Sequence, residues 1–324
     1  VPETAIESGE MIAVYGDYDL DGISATALLV SGLTRLGANV MPHIPHRLSG
    51  GYGLKLPSLK RLQERGCGLV VSVDCGVTAV KEVAQAKQLG LDIIITDHHT
   101  PLAEVPQALA VLNPKVPGSR YPFPELTGVG VAFTLLRALY AARGREDELA
   151  DCYDLVALGT VADIAPLVGE NRVLVRRGLK LMNERPRVGI RQMVAATKLR
   201  AGELTAESIA WVLAPRLNAA GRLVHAMASY KMLVTGDADE GTALAAKLEG
   251  RNRERQKLTV NAVSGARGPA LAGGPGGFIF CADAAFVPGL VGPVAGRLSA
   301  GFYLAAAGSR PGARPRGCGR AALP

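Results

Sequence analysis

Three short apolar runs limit how this chain can fold. They are MIAVY (11–15), GLVVSV (68–73) and LDIIIT (91–96). Each stops at ionisable residues: Asp17, Asp19 and Asp21 after the first, Asp74 after the second, and Asp97, His98 and His99 after the third. Between them the periodicity predicts helices over 23–36 and 78–89, stopped by Gly37 and Gly90. Continuous apolar runs bounded by turns suit strands buried on both faces. Their alternation with helices predicts an α/β fold with a doubly wound, mostly parallel sheet. Ligands of such sheets bind beyond the carboxyl ends of the strands, so the three polar ends fall on one rim. A further strand within NVMPHIPHR (39–47) carries prolines that suit an edge.

A Pro-rich connector starts at Asn113, and helical sequence follows in GVGVAFTLLRALYAA (128–142) and ELADCYDLVALGTVADIAPL (148–167). The region 172–260 reads as mostly helical and includes the charged AAKLEGRNRERQKLTV (245–260), a long connecting helix. The texture changes near Asn261: SGARGPALAGGPGG (264–277) reads as a loop and FIFCA (278–282) as a short strand. The expected division is a catalytic domain over 1–190, a helical connector over 191–260 and a smaller α/β domain, partial or divergent, over 261–324.

With 324 residues, 48% of them hydrophobic, the chain can bury substantial cores. No apolar run approaches the ~18 residues of a membrane helix, so no membrane partner is expected. No signal-peptide pattern precedes the first strand, and the short lead-in suggests a trimmed beginning. Five scattered cysteines form no C-x-x-C pair, which argues against a disulfide framework or structural zinc and for a reducing cytoplasm. The net charge of +7 is uneven: residues 251–324 hold ten Lys/Arg against two Asp/Glu. Such an excess is either a solvated surface or a track for a polyanion, most simply nucleic acid.

Each polar strand end has an ordinary explanation when taken alone. Asp clusters cap helices and close turns, and paired histidines are common surface residues. Together on one rim, carboxylates and neutral imidazoles make a site for hard divalent cations such as Mg²⁺ or Mn²⁺. Two such ions about 3.5–4 Å apart are a common engine of phosphoester hydrolysis. Bound cations would also relieve the repulsion among Asp17, Asp19 and Asp21. A lone Asp163 in the apolar GTVADIAPL (159–167) is either a helix cap or a further ligand. A dinucleotide-binding reading fails, because TGVGVAF (127–133) lacks G-x-G-x-x-G and follows a loop, not a strand.

These pieces, in this order and spacing, resemble the DHH phosphoesterase superfamily, whose name-giving element matches TDHHTP (96–101). Within it the chain is similar to the RecJ family of single-strand-specific DNA exonucleases. The similarity rests on VYGDYDLDGISATALL (14–29), IPHRLSGGYGL (44–54), GTVADIAPL and APRLNAAGRLVHAMASYKML (214–233). It runs from about residue 9 to 260. Beyond that, FVPGLVGPVAGRL (286–298) has Val287 where that family usually has histidine, and GCGR (317–320) has Cys318 where it has serine.

The resemblance implies a 5′→3′ exonuclease on single-stranded DNA, active in repair and recombination, that releases 5′-mononucleotides with two Mn²⁺ or Mg²⁺ ions. It implies Asp19, Asp21, Asp74, His98 and Asp163 as metal ligands, with Asp74 bridging. Asp17, on the same side of the strand as Asp19, either binds metal or orients a ligand. His99 faces the scissile phosphate and Asp97 anchors the loop. Arg47, Arg216, Asn218, Arg222 and Arg320 hold substrate phosphates. His43 and His46 are read as structural, and Tyr52 either stacks on a base or packs. The expected partners are single-stranded DNA, a single-strand-binding protein and a helicase, with the chain a monomer. The alternatives are a phosphodiesterase of short oligonucleotides or cyclic dinucleotides, which a substrate-length series separates, and a non-catalytic nucleic-acid-binding relative, which metal dependence separates.

Overall fold

The computed structural model describes residues 2–47, 51–272, 278–310 and 318–321, with side chains for all of these except 268–272 and 318–321. The first sheet is built from β1 (Met11–Tyr15), β2 (Asn39–His43), β3 (Cys67–Val73), β4 (Asp92–Thr96) and β5 (Ala110–Leu112). Its order is β2-β1-β3-β4-β5, and all pairings are parallel. Helices α1 (Pro2–Glu7), α2 (Leu20–Arg35), α3 (Leu56–Glu64) and α4 (Val80–Gln88) precede or link these strands.

Alternation along the strands divides the core into two layers. Ile12 and Val14 of β1, Leu69 and Val71 of β3 and Ile94 of β4 face one cluster. Ala13 and Tyr15, Val70, and Ile93 and Ile95 face the other. Both faces are therefore covered, as a parallel sheet requires.

On the α2 face lie α5 (Gly128–Ala141) and α6 (Tyr153–Ala162), followed by α7 (Gly169–Glu184) and α8 (Val188–Ala195). A buried ion pair ties α8 to α6: Arg187, at the α8 N-terminus, grips Asp154 through Nε at 2.5 Å and Nη2 at 2.7 Å. A wide helical turn, Ser208–Leu213, runs into α9 (Ala214–Leu223), then α10 (Met227–Val234) and the 35-residue α11 (Ala238–Ala272). The second sheet has order β6-β7-β8: β6 (Phe278–Ala282) lies parallel to β7 (Ala305–Ser309), and β8 (Cys318–Ala321) lies antiparallel to it. Helix α12 (Val291–Phe302) packs on this sheet.

Several details differ from the sequence expectations. Helix α2 starts at Leu20 instead of 23, because Asp19 caps it. The stretch 264–272, expected as loop, stays helical. There Ala266 is buried against the C-terminal cluster, with Ala262 and Val263 packed beside it, and this burial outweighs the glycines. Neither α1 nor the three-residue β5 was anticipated. Strand β1 ends at Tyr15, so Asp17 and Asp19 share a turn and strand alternation does not apply to them. Among the described residues no helix is long and apolar enough to cross a membrane. The four cysteines with described side chains, Cys67, Cys75, Cys152 and Cys281, are buried free thiols.

Candidate metal centre

In a sheet of order 2-1-3-4-5 the chain reverses direction between β1 and β3, and a crevice opens at their carboxyl ends. The acidic residues lie there. Asp19 is the N-cap of α2 and accepts the Gly22 N–H at 3.1 Å. Gly22 has no room for a side chain, since a Cβ would stand 2.7 Å from the Asp17 backbone nitrogen. Asp21, in the first turn of α2, accepts Gly128 N–H at 2.7 Å and Val129 N–H at 2.9 Å. It thus caps the start of α5, where the helix dipole favours negative charge.

Asp74 follows β3 in a left-handed conformation, φ 59°, which aspartate tolerates better than most residues. Its N–H donates to the Thr96 carbonyl at 2.9 Å. Gly128 packs directly on it, and a Cβ there would come within 2.5 Å of the Asp74 Cβ. Beyond β4, Asp97 accepts Val77 N–H at 2.9 Å and His98 N–H at 2.8 Å, and its Oδ1 lies 2.8 Å from His99 Nδ1. Burial opposes its ionisation, but the hydrogen bonds from His99 and Val77 prevail and hold the carboxyl below its usual range.

These anchors bring ligand-type atoms together. His98 Nε2 lies 3.2 Å from Asp74 Oδ1, 3.8 Å from Asp163 Oδ2 and 3.9 Å from Asp21 Oδ2. Three overlapping groups, Asp74–His98–His99, Asp21–His98–Asp163 and Asp17–Asp19–Asp74, each keep their ligand atoms within 4.8 Å of one another. His98 Nε2, Asp74 Oδ1 and Asp17 Oδ1 are buried with no hydrogen-bond partner. Burial, reinforced by His99, lowers the His98 pKa to about 4, so its ring is neutral and offers a lone pair. Burial, then the neighbouring acids, raises Asp17 to about 8 and Asp21 and Asp74 well above the usual range, while Asp163, more exposed at the end of α6, is raised to about 6 by partial desolvation and then by Asp19. Buried, mutually repelling carboxylates beside a neutral imidazole are the donor set of a divalent-cation site, and the orphaned atoms need such a partner.

The description "DHH family, N-terminal domain" matches residues 11–160. The chain is 41% identical over 303 residues to the single-stranded-DNA-specific exonuclease RecJ of Bacillus subtilis, covering 92% of this chain and 38% of that protein. To RecJ of Thermus thermophilus it is 41% identical over 256 residues, covering 79% and 37%. A crystal structure of exonuclease RecJ bound to manganese superposes with TM-score 0.86 at 36% identity, covering 95% of this chain and 78% of that one. The chain belongs to the DHH family. It spans less than half the length of the curated relatives it matches.

Around this DHH centre the expected phosphate-holding residues divide into two sets. Arg47 stacks over the Tyr18 ring, its Cζ 4.6 Å from the centroid, beside the first acidic turn. Arg222, at the end of α9, donates to the Gly289 carbonyl at 3.4 Å. Burial, with Arg47 and Arg255 close by, lowers its pKa to about 10. Among the described residues no carboxylate forms a direct ion pair with Arg47, Arg222 or Arg255, and only Asp17 and Asp19 act on Arg47 and Arg222 at longer range. Arg216, in contrast, is engaged with Glu249 at 2.6 Å and with the Val212 carbonyl at 2.8 Å. Asn218 keeps a buried Oδ1 with no partner. Arg320 lies in β8, and its side chain is outside the described residues.

Tyr52, left open by the sequence, places its hydroxyl 3.2 Å from His99 Nδ1 and 3.5 Å from the Asp74 carbonyl oxygen. His43 packs half-buried against Tyr15, with ring centroids 4.8 Å apart, and His46 lies edge-on to His225. Sequence reasoning missed Gly128, whose contact with Asp74 depends on α5 approaching the rim. The only local signal was a small-residue helix start, T-G-V-G.

Proposed function

We propose that this chain is the catalytic core of a metal-dependent exonuclease that shortens single-stranded DNA from its 5′ end and releases 5′-mononucleotides. The observation that carries the reading is the buried acidic cluster with its orphaned Asp74 Oδ1 and His98 Nε2 beside three arginines that form no direct ion pair among the described residues. Anion-seeking and cation-seeking groups side by side suit a phosphodiester. The RecJ names and the manganese-bound relative support the same reading.

Asp19, Asp21, Asp74, His98 and Asp163 would hold two divalent cations, with Asp74 between them and Asp17 supporting. When bound, such ions supply a water nucleophile near neutral pH and offset charge on the scissile phosphate. Arg47 and Arg222 bind and orient the phosphates by guanidinium forks. Asp97 fixes His99 through Nδ1, so the imidazole is positioned to donate a proton to the leaving oxygen. We further propose that the core acts as a monomer in a reducing cytoplasm, which suits its buried thiols. A helicase and a single-strand-binding protein would supply its substrate.

The test uses single strands labelled at the 5′ or the 3′ end, with and without Mn²⁺. Release of a labelled mononucleotide from the 5′-labelled strand, only with metal, is expected. First release from the 3′ label would reverse the polarity, and hydrolysis confined to di- and trinucleotides in a length series would replace this reading with the short-substrate phosphodiesterase. Strand binding with no hydrolysis under any metal would favour the non-catalytic relative.

A further inference from the structure

Helix α6 ends at Asp163, and the next residue, Ile164, has φ 59°. Three non-glycine residues among those described take positive φ: Asp74, Ile164 and Tyr303. Ile164 alone of these is β-branched, the side-chain type that the left-handed region tolerates least. The position just past a helix C-cap is one where glycine, or less often asparagine, relieves this conflict. Nor does packing offset it, because Ile164 is 90% exposed. A large apolar side chain is thus kept where conformation disfavours it and burial gives nothing back in the free protein.

Its surroundings suggest what it meets. The turn after it is fixed from below by the buried Asn171, whose Nδ2 donates to the Pro166 carbonyl at 3.1 Å and the Glu125 carbonyl at 2.7 Å. On the other side Asp163 Oδ2 stands 3.8 Å from His98 Nε2. Ile164 is therefore an apolar point held rigidly at the lip of the acidic cluster. A phosphate gains nothing from an aliphatic side chain. The apolar part of a nucleotide is its base, which presents a flat face of the right chemistry.

We propose that Ile164 determines substrate grip by packing against the base of a nucleotide flanking the scissile phosphate. This rests on the exonuclease reading above. Contact with the base offsets the backbone cost only when substrate is bound, so the free protein is less stable than it would be with glycine there.

The experiment compares wild type with Ile164→Gly, Ile164→Asn and Ile164→Val on a single-stranded oligonucleotide and on matched strands abasic at either nucleotide flanking the first scissile bond. Strand affinity in chelator and thermal stability are measured alongside. Ile164→Gly and Ile164→Asn are expected to melt higher than wild type. They should raise KM and weaken metal-free binding about fivefold, the scale of one branched side chain leaving an apolar contact. Any fall in kcat should be smaller. Ile164→Val should restore KM toward wild type, and one abasic strand should abolish the difference between wild type and Ile164→Gly. Equal KM and affinity for wild type and Ile164→Gly would overturn the proposal, as would a difference that persists on both abasic strands. Failure of the wild type to hydrolyse the strand at all would instead sink the exonuclease reading.

Discussion

Asp17 shows how a single residue couples the site to stability. It is buried, its Oδ1 has no partner, and burial followed by Asp19 raises its pKa to about 8. A carboxyl whose folded pKa lies above its unfolded value favours folding while protonated. That stability is complete below the unfolded pKa, near 4, and is lost as pH rises through the folded pKa, near 8. The half-buried His43 and His98, both lowered to about 4, work in the opposite sense, but only below about 6.5. Between pH 6.5 and 8 the slope should therefore come from the raised acids together with His99, whose hydrogen bond to Asp97 raises its pKa and acts in the same sense. In chelator, wild type should lose stability across this window at up to about 1.4 kcal/mol per pH unit for each such proton. Asp17→Asn should flatten the loss, and saturating Mn²⁺ should remove most of it. Denaturant midpoints at the two pH values measure this, and equal slopes for wild type and Asp17→Asn in chelator would refute the account.

At the scale of elements, the rim depends on how closely α5 approaches β3. Gly128→Ala places a Cβ 2.5 Å from the Asp74 Cβ and 2.6 Å from its Oδ1, so α5 or Asp74 must move. That displacement also strips Asp21 of its two backbone donors. The expected cost is about 1–3 kcal/mol of stability, with a clear loss of Mn²⁺ affinity by calorimetry. Gly130→Ala is the control: its tightest contact would be the movable Leu126 Cδ2 at 3.2 Å, with the others at ordinary van der Waals distance, so metal affinity should hold. This contrast explains what could be read from the sequence. β1, β3 and β4 were legible because each is a continuous apolar run ending in polar residues, and Asp163 because it stands alone in an apolar stretch. Gly128 against Asp74 and Asp21 capping α5 were not legible, since both arise where segments more than 50 residues apart meet. β5 was too short to show a period, and the Gly/Pro content of 264–272 masked a helix end that only tertiary burial sustains.

Across the whole molecule, arginines connect the two sheets. Of Arg251, Arg253 and Arg255 at the start of the basic C-terminal part, all on α11, Arg251 pairs with Glu254 at 2.7 Å and Arg253 with Glu249 at 2.9 Å. Arg255 instead faces Arg216 and Arg297, and it lies close to Arg222. Arg255→Gln should therefore reduce the salt dependence of strand binding by about 0.7 in log K against log salt, the value of one phosphate contact on a single strand. Arg253→Gln should leave the slope unchanged. A salt titration of oligonucleotide affinity in chelator decides this, and an unchanged slope in Arg255→Gln would remove that residue from the strand's path. Helix α11 itself runs without interruption from the helical layer over the first sheet to the cluster beneath the second, about 52 Å at 1.5 Å per residue. Such a helix works as a threaded shaft. Removing one residue shortens it by only about 1.5 Å but turns everything beyond it by about 100°. Removing seven shortens it by about 10 Å and misaligns the far end by only about 20°. Reach and facing are geared together, so the gap between the cation cluster and the second sheet can change only in steps of whole turns.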